Sequence, residues 1–285
     1  MELPHTHEKN RWILHLTMRC NYYCAYCIQK ETIARENMRV VRGYNELDAD
    51  KWLSALARLD YRPPMAIVMG GEPSLHRGFT DIVIGLHMAE YNLDITTNLS
   101  FDVQKFIDEL RRRNVALPRM WTTYHPEQAD AREFLLKASQ LKHSGLVGLT
   151  VSYMSPDEMP HLLSDKHKHD LDEFHKYCGH FGISALKAHI RDQREGEAYA
   201  RRAYPDGKKI RRPIKCTSSW VNIAPDGEIY NCAYHMSLGK NSFGNITRPD
   251  SIKRIPEMGE WFDCEDYGWC EACHEQSGHG GFREP

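Results

Sequence analysis

The sequence lacks long apolar runs and any large excess of charge of one sign. Its longest apolar stretches, such as residues 82–86, are far too short to span a bilayer. The 37 basic and 39 acidic residues leave a formal net charge of −2, so no overall field attracts nucleic acid or an anionic membrane. Residues 1–12 are polar and match neither a signal peptide nor an amphipathic anchor. We therefore expect a cytoplasmic protein, with neither a membrane nor nucleic acid as a partner.

Internal repeats and low-complexity stretches are also absent. Hydrophobic residues make up 41% of the chain, which is enough to build a core, so global disorder is excluded. A length of 285 residues suits one large domain, or a domain with a smaller appendage.

Short apolar segments that favour β-strands alternate with amphipathic helical patterns. The predicted strands are residues 12–17, 66–69, 93–97, 120–124, 147–153 and 183–190. The predicted helices are residues 47–59, 79–90, 102–113, 130–143 and 169–180. Strand followed by helix, repeated in this way, indicates an α/β fold with a parallel sheet.

Six strand–helix units predict an incomplete (β/α)6 barrel. A full barrel of eight units typically needs about 250 residues, and only roughly 180 are available before the pattern ends. In folds of this kind the functional loops follow the carboxyl ends of the strands.

The pattern ends near residue 195, which we take as the end of a barrel domain over residues 1–195. Residues 196–215 read as a basic linker, and residues 216–285 as a small C-terminal domain whose tail is acidic. Either the linker and the tail complement each other electrostatically, or the linker binds an anionic group of a substrate.

Nine cysteines are distributed unevenly along the chain. Three lie within residues 20–27, five lie after residue 215, and Cys178 stands between the two groups. Disulfides are rare in a reducing cytoplasm. Clustered cysteines in such a protein indicate metal or cluster ligation.

The first group consists of Cys20, Cys24 and Cys27, directly after the first predicted strand. Three thiolates this close together can bind three irons of a [4Fe–4S] cluster, which usually has four cysteine ligands. The fourth iron is then open to an outside ligand, and an open metal position is typical of catalysis. Zinc bound by these cysteines and a histidine such as His15 is the alternative.

The spacing C-x-x-x-C-x-aromatic-C, with Tyr26 at the aromatic position, resembles the signature of the radical S-adenosylmethionine (SAM) superfamily. The resemblance implies a [4Fe–4S] cluster whose open iron chelates the amino and carboxylate groups of SAM. It also implies reductive cleavage of SAM to a 5′-deoxyadenosyl radical that removes a hydrogen from the substrate. A reductase, a flavodoxin or a ferredoxin would supply the electron.

A second motif, Gly70-Gly71-Glu72-Pro73, follows the second predicted strand and resembles the superfamily's motif that binds the methionine amino group. Glycines allow close approach of the backbone, and the carboxylate could accept hydrogen bonds from an ammonium group. Polar residues after later strands resemble, more weakly, the superfamily's ribose and carboxylate contacts: Thr97, Asn98, Thr123 and Arg191.

The second cysteine group begins with Cys216 and Cys232, on either side of a predicted hairpin over residues 221–230. A C-x-x-C knuckle, Cys270 and Cys273, follows. This arrangement fits a second [4Fe–4S] cluster or a zinc ribbon. It resembles the shortened "twitch" version of the superfamily's SPASM auxiliary-cluster module, which implies these four cysteines as ligands. Cys264 is left as a spare thiol, a substituted ligand or a hydrogen donor.

These features together predict a radical SAM enzyme that oxidises a small-molecule or peptide substrate, with the auxiliary cluster accepting an electron from the substrate radical. Epimerisation or cross-link formation on a peptide is an alternative outcome. A different class of function, a non-catalytic zinc-binding or iron–sulfur electron-transfer protein, also stays open.

Overall fold

The computed structural model describes residues 11–24, 27, 44–59, 62–155, 164–189, 214–218, 220–256, 260–264 and 280–283. By its internal contacts the chain divides into two compact units. The first unit comprises Met1–His15, Ile28–Ile67 and Gln193–Pro285. The second unit comprises Leu16–Cys27 and Val68–Asp192.

The described strands and helices follow one another in this order: β1 (Arg11–His15), α1 (Ala49–Ala57), β2 (Met65–Met69), α2 (Phe79–Met88), β3 (Leu93–Thr97), α3 (Val103–Arg113), β4 (Leu117–Tyr124), α4 (Ala131–Ser144), β5 (Val147–Ser155), α5 (Asp165–Phe181), β6 (Ala185–His189), β7 (Ile214–Ser218), β8 (Trp220–Ile223), β9 (Ile229–Tyr230), α6 (Ala233–Leu238), β10 (Trp261–Cys264) and β11 (Gly280–Arg283). The six strands and five helices predicted for the barrel are thereby confirmed. None of the described helices is long and apolar enough to cross a membrane.

A mostly parallel sheet of eight strands has the order β6-β5-β4-β3-β2-β1-β8-β9. Strands β3 to β6 pair in parallel with their neighbours, and β9 at the edge pairs antiparallel with β8. A second, three-stranded sheet is antiparallel, in the order β10-β7-β11. The α/β class is therefore confirmed, and the alternation of parallel strands with helices is consistent with an incomplete barrel.

Helix boundaries in the second unit follow from their capping residues. Asp102 accepts a hydrogen bond from the Lys105 amide at 3.0 Å and begins α3, and Asp130 accepts one from the Glu133 amide at 2.8 Å and begins α4. Helix α3 ends in three arginines, which interact favourably with the helix dipole.

The helices of the second unit bury one face of the sheet through an aromatic cluster. Tyr124, at the end of β4, stacks on Phe174 of α5 with ring centroids 4.5 Å apart. Phe134 of α4 lies 5.5 Å from the Tyr124 ring. These contacts fix the carboxyl end of β4, where the chain turns into the loop that reaches the site.

In the first unit, β8 pairs in parallel with β1, and the ring of His15 donates from Nε2 to Asn222 Oδ1 over 3.1 Å. The predicted hairpin is confirmed, since Ile223 pairs with Ile229 and Gly227 turns the chain with φ +85°. The Leu47 amide donates to the Pro225 carbonyl at 2.8 Å, which attaches the segment before α1 to this hairpin.

Candidate active site

The loop that carries the first three cysteines is bound along its backbone to the Gly-Gly-Glu turn. The Leu16 amide donates to the Met69 carbonyl at 3.1 Å, the Gly71 amide to Thr17 at 2.9 Å, and the Glu72 amide to Arg19 at 2.7 Å. Two segments that are over 50 residues apart in the sequence therefore run side by side up to Cys20.

Glycine is required at both positions because no side chain fits between the two segments. A Cβ atom on Gly70 would lie 2.1 Å from the Thr17 carbonyl oxygen, and one on Gly71 would lie 2.2 Å from that of Arg19. The glycines allow this close approach, and the amides of Gly71 and Glu72 are used to hold the cysteine loop.

Arg19 adds a side-chain clamp to this backbone contact. Its Nε atom donates to Thr17 Oγ1 at 3.2 Å, and Nη2 donates to the Leu75 carbonyl at 3.0 Å. Leu75 ends the 3-10 turn Pro73–Leu75, whose Pro73 is buried. The turn and the loop are thus attached to each other just before the first cysteine.

The three thiols differ in their surroundings. Cys20 is exposed and its Sγ atom accepts a hydrogen bond from the Tyr22 amide at 3.4 Å. Desolvation, opposed by that hydrogen bond, raises the pKa of the Cys20 thiol. Cys24 is buried, Cys27 is half-buried, and the Cys27 amide donates to the Cys24 carbonyl at 3.2 Å.

The loop between β4 and α4 holds the cysteine loop from another side. His125 Nδ1 lies 3.5 Å from Cys24 Sγ, and Gln128 Oε1 accepts from the Tyr23 amide at 2.8 Å. Burial lowers the pKa of His125 to about 4, so the ring is neutral at pH 7. Sequence reasoning did not identify Gln128, because its partner is a backbone amide 105 residues away.

Glu72 is almost wholly buried, and its carboxylate turns toward the end of β3. Oε1 accepts from the Ser74 amide at 3.0 Å and from Thr97 Oγ1 at 2.7 Å. Oε2 accepts from the Asn98 amide at 2.7 Å. Burial raises the pKa of this carboxyl, and the hydrogen bonds oppose the rise.

Asn98 continues the contact toward the cysteine loop. Its Nδ2 atom donates to Asn21 Oδ1 at 3.2 Å, and Ser100 Oγ donates to the same oxygen at 3.1 Å. Asn21 follows Cys20 directly. Sequence reasoning missed Asn21, because the cysteine spacing does not specify which residue follows Cys20.

Thr123 lies on β4 with its hydroxyl 3.0 Å from Ser152 Oγ of β5. Trp121 Nε1 donates to the same Ser152 oxygen at 2.9 Å, and Ser152 donates to the Thr122 carbonyl at 3.2 Å. The Thr123 hydroxyl is therefore oriented by the neighbouring strand.

Four other predicted site residues lie outside the described residues: Tyr26, Arg191, Cys270 and Cys273. In the second cysteine group, Cys216 is buried at the centre of the small sheet, opposite Phe262 of β10 and Phe282 of β11. Cys232 is the N-cap residue of α6, and Cys264 is buried at the end of β10.

No three His, Cys, Asp or Glu side chains converge on a single-ion site within the part of the chain that the structure describes. In a four-iron cluster each cysteine binds a different iron, so the thiolates lie further apart than the ligands of one ion. Three thiols on one short, firmly held loop are a donor set that suits such a cluster. His15, the fourth ligand of the zinc alternative, is engaged with Asn222.

The candidate site combines a parallel α/β sheet with a three-cysteine loop after the first strand. This combination is the basis for comparing the chain with known families. Residues 14–121 match the family model described as the Radical SAM superfamily. Residues 14–121 are therefore similar to a radical SAM domain, and that superfamily consists of enzymes that use a [4Fe–4S] cluster and SAM.

Solved structures with similar folds include Streptococcus suis SuiB bound to the precursor peptide SuiA. It is 14% identical, with a TM-score of 0.53 over 86% of this chain and 64% of that chain. SuiB bound to SAM is 13% identical, with a TM-score of 0.51 over 86% of this chain and 62% of that one. Histidine-tagged anSMEcpe with bound AdoMet is 11% identical, with a TM-score of 0.50 over 86% of this chain and 77% of that one. At these identities the matches show the fold alone, and this chain spans less than two thirds of the SuiB chain.

Proposed function

We propose that this protein is an enzyme that reductively cleaves SAM and uses the resulting radical to remove a hydrogen from a substrate. The observation that carries the proposal is the backbone contact between the cysteine loop and the Gly-Gly-Glu turn. It brings the two sequence motifs together, although each alone is short. If the two motifs had arisen by chance in unrelated turns, there would be no reason for their backbones to be hydrogen-bonded to each other.

The first task of the chain is to hold the catalytic cluster. Cys20, Cys24 and Cys27 are the proposed ligands, and when bound the cluster supplies the electron that splits SAM into methionine and a 5′-deoxyadenosyl radical. Two contacts restrict the movement of the loop: its own Arg19 side chain binds the Leu75 carbonyl, and Gln128 binds its Tyr23 amide. The neutral His125 ring next to Cys24 adds no positive charge.

The second task is to place SAM. Glu72 Oε2 has one described hydrogen bond, from the Asn98 amide, and a carboxylate oxygen can accept a second one from the methionine ammonium group. Tyr26, the 70–73 turn, Thr97, Thr123 and Arg191 stay the proposed SAM contacts, while the Asn98 amide binds Glu72 Oε2. Because the carboxylate is buried and fixed by three donors, it is held in place before SAM binds.

A second [4Fe–4S] cluster, bound by Cys216, Cys232, Cys270 and Cys273, is part of the proposal. We propose with it a barrel domain over residues 1–195, a linker over residues 196–215 and an auxiliary domain over residues 216–285. Four protein ligands would close this cluster to SAM and suit it to accept an electron from the substrate radical, which favours oxidation. The buried positions of Cys216 and Cys264 are compatible with a protected cluster site.

The substrate class is a small molecule or a peptide, and a reductase, flavodoxin or ferredoxin is the proposed electron donor. SuiB, whose fold is similar, is bound to a precursor peptide, and this favours peptide modification, by epimerisation or cross-linking, as the alternative reaction. A non-catalytic zinc-binding or electron-transfer protein is the alternative of another class.

The decisive experiment compares the reconstituted wild type with a Cys20→Ala/Cys24→Ala/Cys27→Ala variant under strictly anaerobic, reducing conditions. We expect 5′-deoxyadenosine and methionine from the wild type, and none from the triple variant. Cys178→Ala, which changes a half-buried thiol on α5, is the matched control and keeps full activity. Chelatable zinc and no deoxyadenosine from the wild type would favour the non-catalytic alternative.

A further inference from the structure

We infer that Asn98 is a positioning residue that holds the cysteine loop through Asn21, and that its side chain does not act by contacting SAM. This inference rests on the proposed function, because it concerns the same site. It assigns to Asn98 a role different from the ribose or carboxylate contact that the family resemblance implies.

The orientation of the Asn98 amide is determined by its neighbours. Oδ1 accepts a hydrogen bond from the Ser100 amide at 3.0 Å, a donor that an NH2 group could not face. Nδ2 must therefore point the other way, where it donates to Asn21 Oδ1 at 3.2 Å. The direction of this hydrogen bond follows from the contact with the Ser100 backbone.

Asn98 thus joins two parts of the site with two different groups. Its backbone amide donates to Glu72 Oε2 at 2.7 Å, and its side chain reaches the residue after Cys20. A continuous series of hydrogen bonds runs from the carboxylate proposed to bind SAM to the loop proposed to bind the cluster. Asn98 itself is 6% exposed, so in an Asn21→Ala variant water does not readily replace the acceptor that Asn98 Nδ2 loses.

This contact holds the part of the loop next to Cys20, where residues 19–21 are exposed and little packing restrains them. Ser100 Oγ also donates to Asn21, but its single hydroxyl proton is shared with a second acceptor, Asn98 Oδ1. Without the Asn98 side chain, Asn21 Oδ1 keeps one hydrogen bond among the described residues, the shared one from Ser100 Oγ. The cysteine next to it then samples more positions, and fewer of them place the cluster for electron transfer to SAM.

The hydrogen bond between Asn98 and Asn21 can be removed by mutation without changing Glu72. Asn98→Ala removes the side chain and keeps the backbone amide that donates to the carboxylate. Asn21→Ala removes the same hydrogen bond from the opposite side. Asn98→Asp restores it, because the Asn21 amide can turn and donate Nδ2 to the new carboxylate. Asn92→Ala, at an exposed position just before β3, is the matched control.

The test measures cleavage of SAM without substrate, together with iron loss to a chelator, on the reconstituted full chain. We expect kcat to fall about tenfold in Asn21→Ala, and by at least as much in Asn98→Ala, which also loses the hydrogen bond from the Ser100 amide. KM for SAM should change less than about twofold in both variants. The double variant should lose less than the two single variants added together, since both remove the Asn98–Asn21 hydrogen bond. Both single variants should lose iron faster than the wild type, and Asn98→Asp should recover most of the activity.

Two results would overturn the inference. A raised KM in Asn98→Ala with an unaffected Asn21→Ala would show direct contact with SAM. Iron loss and kcat equal to those of the Asn92→Ala control would show no role. If the wild type made no deoxyadenosine while Asn98→Ala and Asn21→Ala still lost iron faster, the proposed function would fail and the positioning role would stand.

Discussion

The Thr97 hydroxyl donates to Glu72 Oε1 over 2.7 Å, inside a site where the glutamate is 1% exposed. The contact attaches the residue after the Gly-Gly pair to the end of the next strand. It also completes a set of three donors around one carboxylate. Several properties of the protein should therefore respond to changes at this point and at its neighbours.

Glu72→Gln is expected to destabilise the protein and abolish SAM cleavage. An amide in place of the carboxylate must direct its NH2 group at one of three donors, which costs about 1–3 kcal/mol in a buried site. Urea unfolding measures the loss of stability, and deoxyadenosine release measures activity. Glu109→Gln, on the surface of α3, is the control and should leave the stability almost unchanged. Equal stability of the two variants would contradict the buried network.

Gly71→Ala should displace the cysteine loop. The new Cβ would lie 2.2 Å from the Arg19 carbonyl oxygen, so the loop and the turn must separate. We expect the reconstituted variant to lose about four irons per chain and all SAM cleavage. Gly179→Ala is the control, because nothing lies within 4 Å of a Cβ atom added there and alanine favours a helix. A Gly71→Ala protein with the same iron content as the wild type would contradict the close contact between the turn and the cysteine loop.

The two cysteine groups should bind separate clusters. Iron and sulfide analysis of the reconstituted wild type should give about eight irons per chain, and the Cys20, Cys24 and Cys27 triple variant should keep about half of them. About four irons in the wild type, together with bound zinc, would instead support a zinc site in the C-terminal group.

The C-terminal group should be dispensable for the initial cleavage. Cys270→Ala/Cys273→Ala is expected to keep forming deoxyadenosine without substrate, at a somewhat reduced rate because cluster binding also stabilises its own segment. Electron paramagnetic resonance of the first cluster checks that it is intact in this variant. Loss of cleavage in a folded variant with an intact first cluster would contradict separate roles.

His15 should make the protein less stable at acid pH. Burial lowers the pKa of His15 to about 4, below its ordinary value of 6.5 in the unfolded chain. As the pH falls below 6.5 the unfolded state takes up a proton that the folded state does not bind. The stability lost through this group reaches about 2 kcal/mol at about pH 5.

Thermal unfolding at several pH values checks this effect against His15→Gln, which cannot titrate but can still donate to Asn222. The difference in midpoint between wild type and variant should shift in favour of the variant from about pH 7 to about pH 5. If this difference in midpoint did not change between about pH 7 and about pH 5, His15 would be taking up its proton in the folded protein as well, and the prediction would be wrong.

Local patterns predicted most of the fold because strands and helices depend strongly on short-range chemistry. The helices predicted over residues 102–113 and 130–143 begin close to where they were expected, because Asp102 and Asp130 cap them. The predictions were less accurate where the local signal was weak. Helix α5 begins at Asp165 instead of residue 169, since Ser164 caps a first turn with few apolar residues. Strand β4 begins at Leu117, three residues before its predicted start at residue 120. Pro118 and a shift in register between Leu117 and Met120 interrupt the alternation of apolar residues there, so the first residues of the strand did not look like a strand.

What the sequence determined by itself was the succession of elements and the two motifs, since cysteine spacing and a Gly-Gly pair are properties of neighbouring residues. Only the tertiary structure decided what those residues touch. The amides of Gly71 and Glu72 bind the cysteine loop, Asn98 reaches Asn21 across 77 positions, and β8 pairs with β1 across more than 200. Such partners are chosen by strand order and register, which depend on burial throughout the sheet and leave no trace in any local stretch of sequence.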